Sequence, residues 1–216
     1  ISQISSEKIL QNTKCDIHLP YWQITNNPNF AQMYEERTKN ISKFGYGIYA
    51  MHSMFIFEDG NIIPVKFSDP IRLSNLTGYE YERGKIIENT KAFINNKPAA
   101  NTLLYGDAGT GKSSTVKAVV NEFAAMGLRM VEVRKKDLLQ IPKLIEKLAD
   151  NPLKFILFID DLSFFNHSEE IGALKAILEG SVSARTSNVI IYTTSNRRHL
   201  VKESFADRQG DDLNIN

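Results

Sequence analysis

The feature that most constrains the fold is a glycine-rich turn between an apolar run and a helical pattern. Residues 106–113 read Gly-Asp-Ala-Gly-Thr-Gly-Lys-Ser and match G-x-x-x-x-G-K-[ST] at every fixed position. The apolar run 102–105 precedes the turn, and a helical pattern continues from it to about Met126. A strand that passes through such a turn into a helix predicts a βαβ unit, and so an α/β fold with a parallel sheet.

Three further apolar runs continue this pattern along the chain. They cover residues 129–133, 155–159 and 188–194, and helix-like stretches separate them. Residues 155–159 are apolar at every position, which is typical of a central parallel strand whose two faces are both buried. We therefore expect a three-layer αβα core with a parallel sheet over residues 71–216.

Two helix starts in this core carry capping signals. Thr77 and Glu80 have the Thr-x-x-Glu spacing of a capping box, which predicts a helix that runs to about Asn95. Asp137 is expected to cap the helix that follows the second strand.

Residues 1–70 have a different texture, polar and interrupted, and we predict that they form a small accessory α+β region. Residues 30–36 have a helical pattern. An Asp-Gly pair at residues 59–60 lies between two apolar runs and predicts a β-hairpin over about residues 54–65. Because Pro64 cannot donate a ladder hydrogen bond, its strand is expected at a sheet edge.

The residue types of the glycine-rich turn suit the binding of a phosphate chain. The glycines let the backbone wrap closely around a phosphate, and the N–H groups at the helix start then face the anion. Lys112 supplies a charge for the outer phosphates, and the Ser113 hydroxyl is a ligand for Mg²⁺. The turn thus predicts binding of ATP or ADP with Mg²⁺. The predicted cofactor-binding residues of the turn are Gly106, Asp107, Ala108, Gly109, Thr110, Gly111, Lys112, Ser113 and Ser114.

Two other strands end in polar residues at the edge where an open parallel sheet binds its ligand. We predict that Asp160 holds Mg²⁺ through water and that Asp161 orients or deprotonates an attacking water. Asn196 follows the next strand and is a candidate to contact the γ-phosphate or its water. The predicted catalytic residues are thus Lys112, Asp161 and Asn196, and the predicted metal ligands are Ser113 and Asp160. The alternatives, a helix N-cap for either carboxylate and a turn residue for Asn196, stay open.

The stretches GDAGTGKSS, FILFIDD and IIYTTSNRR resemble the Walker A, Walker B and sensor 1 motifs of the AAA+ branch of P-loop ATPases. Over roughly residues 50–216 the chain is also similar to a bacterial family of uncharacterised ATP-binding proteins related to helicase-loader and transposase-helper ATPases. The resemblance implies strand order 5-1-4-3-2 and places Leu76 and Tyr79 near the adenine. It also implies a Mg²⁺-dependent ATPase that forms homo-oligomers and remodels or loads a macromolecular partner.

AAA+ proteins continue past sensor 1 with a fifth core strand, an arginine finger and a helical lid, none of which is visible before Asn216. We expect these parts to belong to a longer protein, and this chain alone to bind nucleotide with little turnover. A nucleotide-dependent switch with little hydrolysis is one alternative, because Asp161 is shorter than the Glu usual at its position. A small-molecule P-loop kinase is another, although the Arg-rich lid of such kinases is not evident.

Charge and composition exclude several other classes of protein. The 216 residues include 26 Lys and Arg and 25 Asp and Glu, so a strong overall attraction to nucleic acid or membranes is absent. Basic clusters at residues 134–136 and 197–199 are candidates for nucleic-acid contact, although a solvated charged face is the ordinary interpretation. A single cysteine, Cys15, excludes an internal disulfide. Without a leader pattern or an apolar run of the ~20 residues that span a bilayer, we expect a cytoplasmic protein with no membrane contact.

Overall fold

The computed structural model describes residues 29–162 and 187–196. The chain divides into two compact units, residues 1–39 and 40–216. Cys15, the basic cluster at residues 197–199 and the helix-like stretch expected between the runs 155–159 and 188–194 lie outside the described residues.

The described part of the first unit is a helix, α1 (Phe30–Lys39), and this confirms the helix predicted from residue 30. Asn29 Oδ1 accepts a hydrogen bond from the backbone N–H of Gln32 at 3.1 Å. This bond satisfies one of the backbone donors that the first turn of a helix leaves free.

The second unit alternates strands and helices after two short helices and a hairpin. Its elements are α2 (Ile41–Phe44), α3 (Ile48–Met51), β1 (Met54–Glu58), β2 (Asn61–Pro64), α4 (Glu80–Ile94), β3 (Thr102–Tyr105), α5 (Lys112–Phe123), β4 (Leu128–Val133), α6 (Ile141–Ala149), β5 (Lys154–Ile159) and β6 (Val189–Ser195). Short 3-10 turns cover Leu73–Asn75, Ala124–Met126 and Lys135–Gln140. Among the described helices, none has the length and apolar character needed to cross a membrane.

Six strands form one sheet in the order β2-β1-β4-β5-β6-β3. β2 is antiparallel to β1, whereas β1, β4, β5, β6 and β3 are parallel to one another. The run β3-β6-β5-β4 reproduces the 1-4-3-2 part of the strand order that the AAA+ resemblance implies. The predicted α/β class with a parallel sheet is confirmed.

The hairpin belongs to this sheet. We predicted it within an accessory region of residues 1–70, but β1 pairs in parallel with β4, with Phe55 opposite Val131. Phe55 and Phe57 are fully buried, so the hairpin contributes to the same apolar core as the later strands. β2 is the edge strand, as expected from Pro64.

Apolar side chains cover both faces of the sheet and create the three layers. Phe155, Leu157 and Ile159 of β5 lie in one cluster with residues of α6. Ile156 and Phe158 of the same strand lie in a second cluster with residues of α4 and α5. Burial on both faces explains why every position of this strand is apolar.

Both predicted helix caps are wrong. Glu80 is the first residue of α4, and the preceding Tyr79 is left-handed (φ 56°) and makes no side-chain capping bond. Asp137 is buried inside a 3-10 turn, where its Oδ1 accepts a hydrogen bond from Gln140 Nε2 at 2.8 Å. α6 begins at Ile141, with a proline in its first turn, where the missing N–H costs nothing.

Gly127, which follows α5, is expected to be intolerant of any side chain. Its φ is +93°, and a Cβ there would lie 2.1 Å from the backbone oxygen of Ser42. We expect Gly127→Ala to lower the free energy of unfolding by about 1–3 kcal/mol in urea denaturation. The matched control is Gly84→Ala inside α4, where a Cβ would meet nothing within 4 Å. That variant should gain about 0.5–1 kcal/mol, and equal stabilities for the two variants would contradict the argument.

Candidate active site

The glycine-rich turn lies between β3 and α5, at the carboxyl edge of the parallel strands. Gly106, Gly109 and Gly111 have φ values of 145°, 80° and 81°, and Ala108 lies between the first two. Gly106 N donates to Ser195 O at 3.3 Å, which ties the start of the turn to the end of β6. A Cβ on Gly109 or Gly111 would meet no atom within 4 Å. Backbone conformation therefore requires glycine here, and the space beside these two glycines is open.

Lys112 folds back over the turn that precedes it. Its Nζ donates to Gly106 O at 2.8 Å and to Asp107 O at 2.7 Å, and it lies 3.4 Å from Thr110 Oγ1. Thr110 Oγ1 also donates to Asp107 O at 2.9 Å, which braces the turn internally. Ser114 lies in the first turn of α5. The ammonium and the positive end of α5 together place positive charge beside the turn.

Asp160 joins three separate parts of the sequence. Its Oδ1 accepts hydrogen bonds from Ser113 Oγ at 2.5 Å and from Thr194 Oγ1 at 2.6 Å. The alternation of side chains along a strand explains why Asp160 reaches Ser113. Phe158 faces α5, and Asp160, two residues later, lies on the same side of the sheet. Tyr192 has the same relation to Thr194 on β6. The sheet therefore directs both polar side chains toward the start of α5.

Asp161 has an unusual backbone and a fully engaged carboxylate. Its φ is +50°, and its N–H donates to Thr194 Oγ1 at 2.8 Å and to Asp160 Oδ1 at 3.1 Å. Its Oδ1 accepts from Asn196 Nδ2 at 3.3 Å. Its Oδ2 lies 3.4 Å from Lys135 Nζ. A left-handed backbone at a non-glycine residue is costly, and such conformations concentrate at functional sites.

Sequence reasoning missed two residues of this site, Thr194 and Lys135. Thr194 links the backbone of Asp161 to the carboxylate of Asp160, and its spacing of two from Tyr192 was an available signal. Lys135 was considered only as part of a basic cluster. The contact of Lys135 with Asp161 depends on the pairing of β4 with β5. No local sequence pattern around Lys135 predicts that pairing.

The basic cluster at residues 134–136 is ion-paired within the chain. Arg134 Nη1 contacts Glu58 Oε1, and Lys136 Nζ lies 3.6 Å from Glu58 Oε1 and 3.2 Å from Asp59 Oδ1. The hydrogen bond to Asp59 raises the pKa of Lys136. These acidic partners weigh against nucleic-acid contact by this cluster.

Leu76 and Tyr79 lie on a segment that is anchored to α5. Asn121 Nδ2 on α5 donates to Asp69 O and to Ile71 O, both at 2.8 Å. Leu76 ends the 3-10 turn that follows, and Tyr79 is 56% exposed. Among the described residues no hydrogen bond joins either of them to the glycine-rich turn. Their place beside the adenine therefore stays a prediction.

The oxygen ligands at the start of α5 fit a Mg²⁺ ion. Mg²⁺ keeps several waters and is usually bound through one or two carboxylates together with substrate phosphates. The Ser113 hydroxyl and the Asp160 carboxylate form a sparse oxygen set of this kind. Within residues 29–162 and 187–196, no group of three or more His, Cys, Asp or Glu side chains forms a closed metal cage.

Comparison with known proteins gives a family match and several partial relatives. Residues 50–216 match the family described as "Protein of unknown function (DUF815)". The replication factor C large subunit of Thermofilum pendens is 29% identical over 116 residues, which cover 51% of this chain and 28% of that protein. The 26S proteasome regulatory subunit 4 homolog of Dictyostelium discoideum is 42% identical over 74 residues, covering 32% and 17%. The matched segments thus span less than a third of these relatives.

Two solved structures are also similar to this chain. One, titled "Structure of C. elegans PCH-2", is 20% identical, covers 62% of this chain and 41% of its own, and has a TM-score of 0.44. The other, a DNA replication initiation factor, is 21% identical, with 67% and 49% coverage and a TM-score of 0.44.

The curated relatives are AAA+ ATPases, and they confirm the resemblance drawn from the three motifs. The family match begins at residue 50, just before the hairpin, and runs through the glycine-rich turn, Asp160 and Asn196. Because that match covers more than three quarters of the chain, this protein belongs to the DUF815 family.

Proposed function

We propose that this protein binds ATP with Mg²⁺, hydrolyses it, and couples hydrolysis to the remodelling or loading of a macromolecular partner. The observation that carries the nucleotide part is the 2.5 Å hydrogen bond from Ser113 to Asp160, residues 47 apart in sequence. It brings the two predicted metal ligands together beside the turn. The AAA+ relatives support an ATPase, and the resemblance to loader and helper ATPases supports a remodelling role in homo-oligomers.

In this proposal the phosphates lie against the glycine-rich turn. The backbone N–H groups of residues 109–113 face them, as at the start of other phosphate-binding helices. Lys112 exchanges its bonds to the carbonyls of Gly106 and Asp107 for the outer phosphates. Ser113 and Asp160 would hold Mg²⁺, which when bound neutralises charge on the phosphate oxygens.

Asp161 and Asn196 are proposed to act on the attacking water. Asp161 orients the water and accepts its proton, which requires an ionised carboxylate with one accessible oxygen. Asn196, whose amide is 3.3 Å from Asp161 Oδ1, fixes that carboxylate and is placed to contact the water or the γ-phosphate.

A nucleotide-dependent switch with slow hydrolysis is a second candidate, and one observation favours it. Both oxygens of Asp161 have partners within the chain, Asn196 on one and Lys135 on the other. The Lys135 ammonium contacts the oxygen that a water would need. The small-molecule kinase alternative has no such support, because the relatives are AAA+ ATPases.

Affinity and turnover measured on one sample test the proposal and separate the two candidates. Calorimetry should show binding of ATP and ADP that tightens with Mg²⁺, and phosphate release should report hydrolysis. Because little turnover is expected of this chain alone, binding with no measurable turnover would favour the switch only in a longer protein that carries the fifth strand, the arginine finger and the lid. Failure to bind either nucleotide would contradict both candidates.

Lys135→Ala is expected to raise ATP turnover by about 1.4- to 5-fold while leaving ATP affinity unchanged. The factor corresponds to the ~0.2–1 kcal/mol of an exposed ion pair, which the variant removes from Asp161. Phosphate release at saturating ATP measures it. Lys39→Ala is the matched control, because it breaks a comparable exposed pair with Glu35 in the first unit. A fall in turnover would mean that Lys135 assists hydrolysis directly.

A further inference from the structure

The basic segment 134–136 directs its side chains to two different strands. It follows β4, which lies between β1 and β5 in the sheet. The first and third side chains pair with Glu58 and Asp59 at the end of β1. The middle side chain, Lys135, pairs with Asp161 at the end of β5. Consecutive residues thus connect the hairpin to the candidate active site.

The hairpin turn is a fixed support for these pairs. β1 is held to β4 by parallel main-chain pairing, and its Phe55 and Phe57 are fully buried. Lys147 Nζ of α6 donates to Gly60 O at 2.6 Å, which fastens the tip of the turn to the core. The side chain of Glu58 is only 29% exposed, so its pairs are shielded in part from solvent.

We propose that Glu58 and Asp59 are positioning residues for the hydrolysis site. By holding the two cations that flank Lys135, they keep the Lys135 ammonium directed at Asp161. A single exposed ion pair is weak, but four ion pairs made by three consecutive residues, with the hairpin end held in place, form a network. This inference rests on the proposed function, because it assigns to the hairpin a control over the base of that reaction.

The test is a double-mutant cycle between Glu58 and Lys135, read by ATP turnover at saturating ATP. Glu58→Gln should raise turnover by up to about 5-fold in the parent, because Lys135 is then held less firmly at Asp161. In the Lys135→Ala background the same substitution should change nothing, since its target is already gone. Equal effects in both backgrounds, or no effect in either, would overturn the inference.

Glu122→Gln is the matched control for this cycle. Glu122 is an ion-paired carboxylate on α5, 4.0 Å from Arg72 and at the opposite end of that helix from Lys112. Its substitution should leave turnover unchanged in both backgrounds. Asp59→Asn provides a second variant, because the 78% exposed side chain of Asp59 can be altered with little risk to folding.

A second measurement does not depend on hydrolysis. The rate at which an acylating reagent modifies Lys135, followed by mass spectrometry, should rise several-fold in Glu58→Gln, whereas Lys85 on α4 should keep its parental rate. Calorimetry on the same samples reports whether the parent binds ATP. If the parent does not bind ATP, the proposed function is wrong. If the parent binds ATP but the reactivity of Lys135 is unchanged in Glu58→Gln, only the positioning role is wrong.

Discussion

Lys112→Ala is expected to weaken binding of ATP with Mg²⁺ by about 30- to 5,000-fold. The range corresponds to the ~2–5 kcal/mol lost when one partner of a buried charge pair is truncated. Among the described residues, Nζ contacts atoms of the turn, namely the carbonyls of Gly106 and Asp107 and the hydroxyl of Thr110. Its removal therefore leaves the apolar core untouched.

Isothermal calorimetry measures this loss, and thermal unfolding checks that the variant remains folded. Lys117→Ala is the matched control, because it removes the same charge from the same helix, α5, five residues further on. It should bind ATP within about 2-fold of the parent, as a surface charge would. Parental ATP affinity in a folded Lys112→Ala variant would contradict the assignment of the turn as the phosphate site.

The part of the site that followed from sequence is the part that local chemistry determines. The fixed glycines of the glycine-rich turn specify a backbone with positive φ at Gly106 and Gly111, and the structure has it. The apolar run before Asp160 sets the alternation of side chains along β5, and therefore the face of the sheet on which the Asp160 carboxylate lies. A period of two along a strand is enough to direct Asp160 toward Ser113, once the turn and the strand are assigned.

The pairing of the hairpin could not be predicted in the same way. The Asp-Gly turn at Asp59 and Gly60 predicts that the two flanking strands pair with each other, but it does not predict which other strand pairs with the hairpin. That partner is β4, and the choice depends on burying Phe55 and Phe57 in a core shared with α6.

The helix caps failed for a related reason. Thr77 has the right spacing from Glu80, but the chain enters α4 through left-handed residues at Gly78 and Tyr79. Asp137 has the right residue type, but its backbone continues a 3-10 turn and its side chain is buried against Gln140. In both cases the backbone conformation of the preceding segment sets the helix start, and a residue preference worth ~1 kcal/mol does not.

Asp161→Asn is expected to lower ATP turnover by about 10²- to 10⁴-fold, the usual contribution of a general base. The amide is nearly isosteric with the carboxylate and leaves the backbone N–H bonds to Thr194 and Asp160 in place. ATP affinity should therefore stay close to that of the parent. Single-turnover phosphate release measures the chemical step apart from product release.

Asp160→Ala separates the metal ligand from the base. It removes the acceptor for both Ser113 and Thr194, so the dependence of ATP binding on Mg²⁺ should weaken as well as turnover. Asp161→Asn should keep that dependence. The two adjacent carboxylates are thus distinguished by titrating Mg²⁺ in a binding measurement that involves no hydrolysis.

The interaction of Lys135 with Asp161 provides a further test of Asp161 as the general base. If the increase expected for Lys135→Ala acts through its contact with Asp161, it must vanish when Asp161 is already Asn. The double variant should therefore hydrolyse ATP as slowly as Asp161→Asn alone. Hydrolysis by Asp161→Asn at the parental rate would move the role of the base to another residue. A persistent Lys135 effect in the double variant would show that Lys135 acts on something other than this carboxylate.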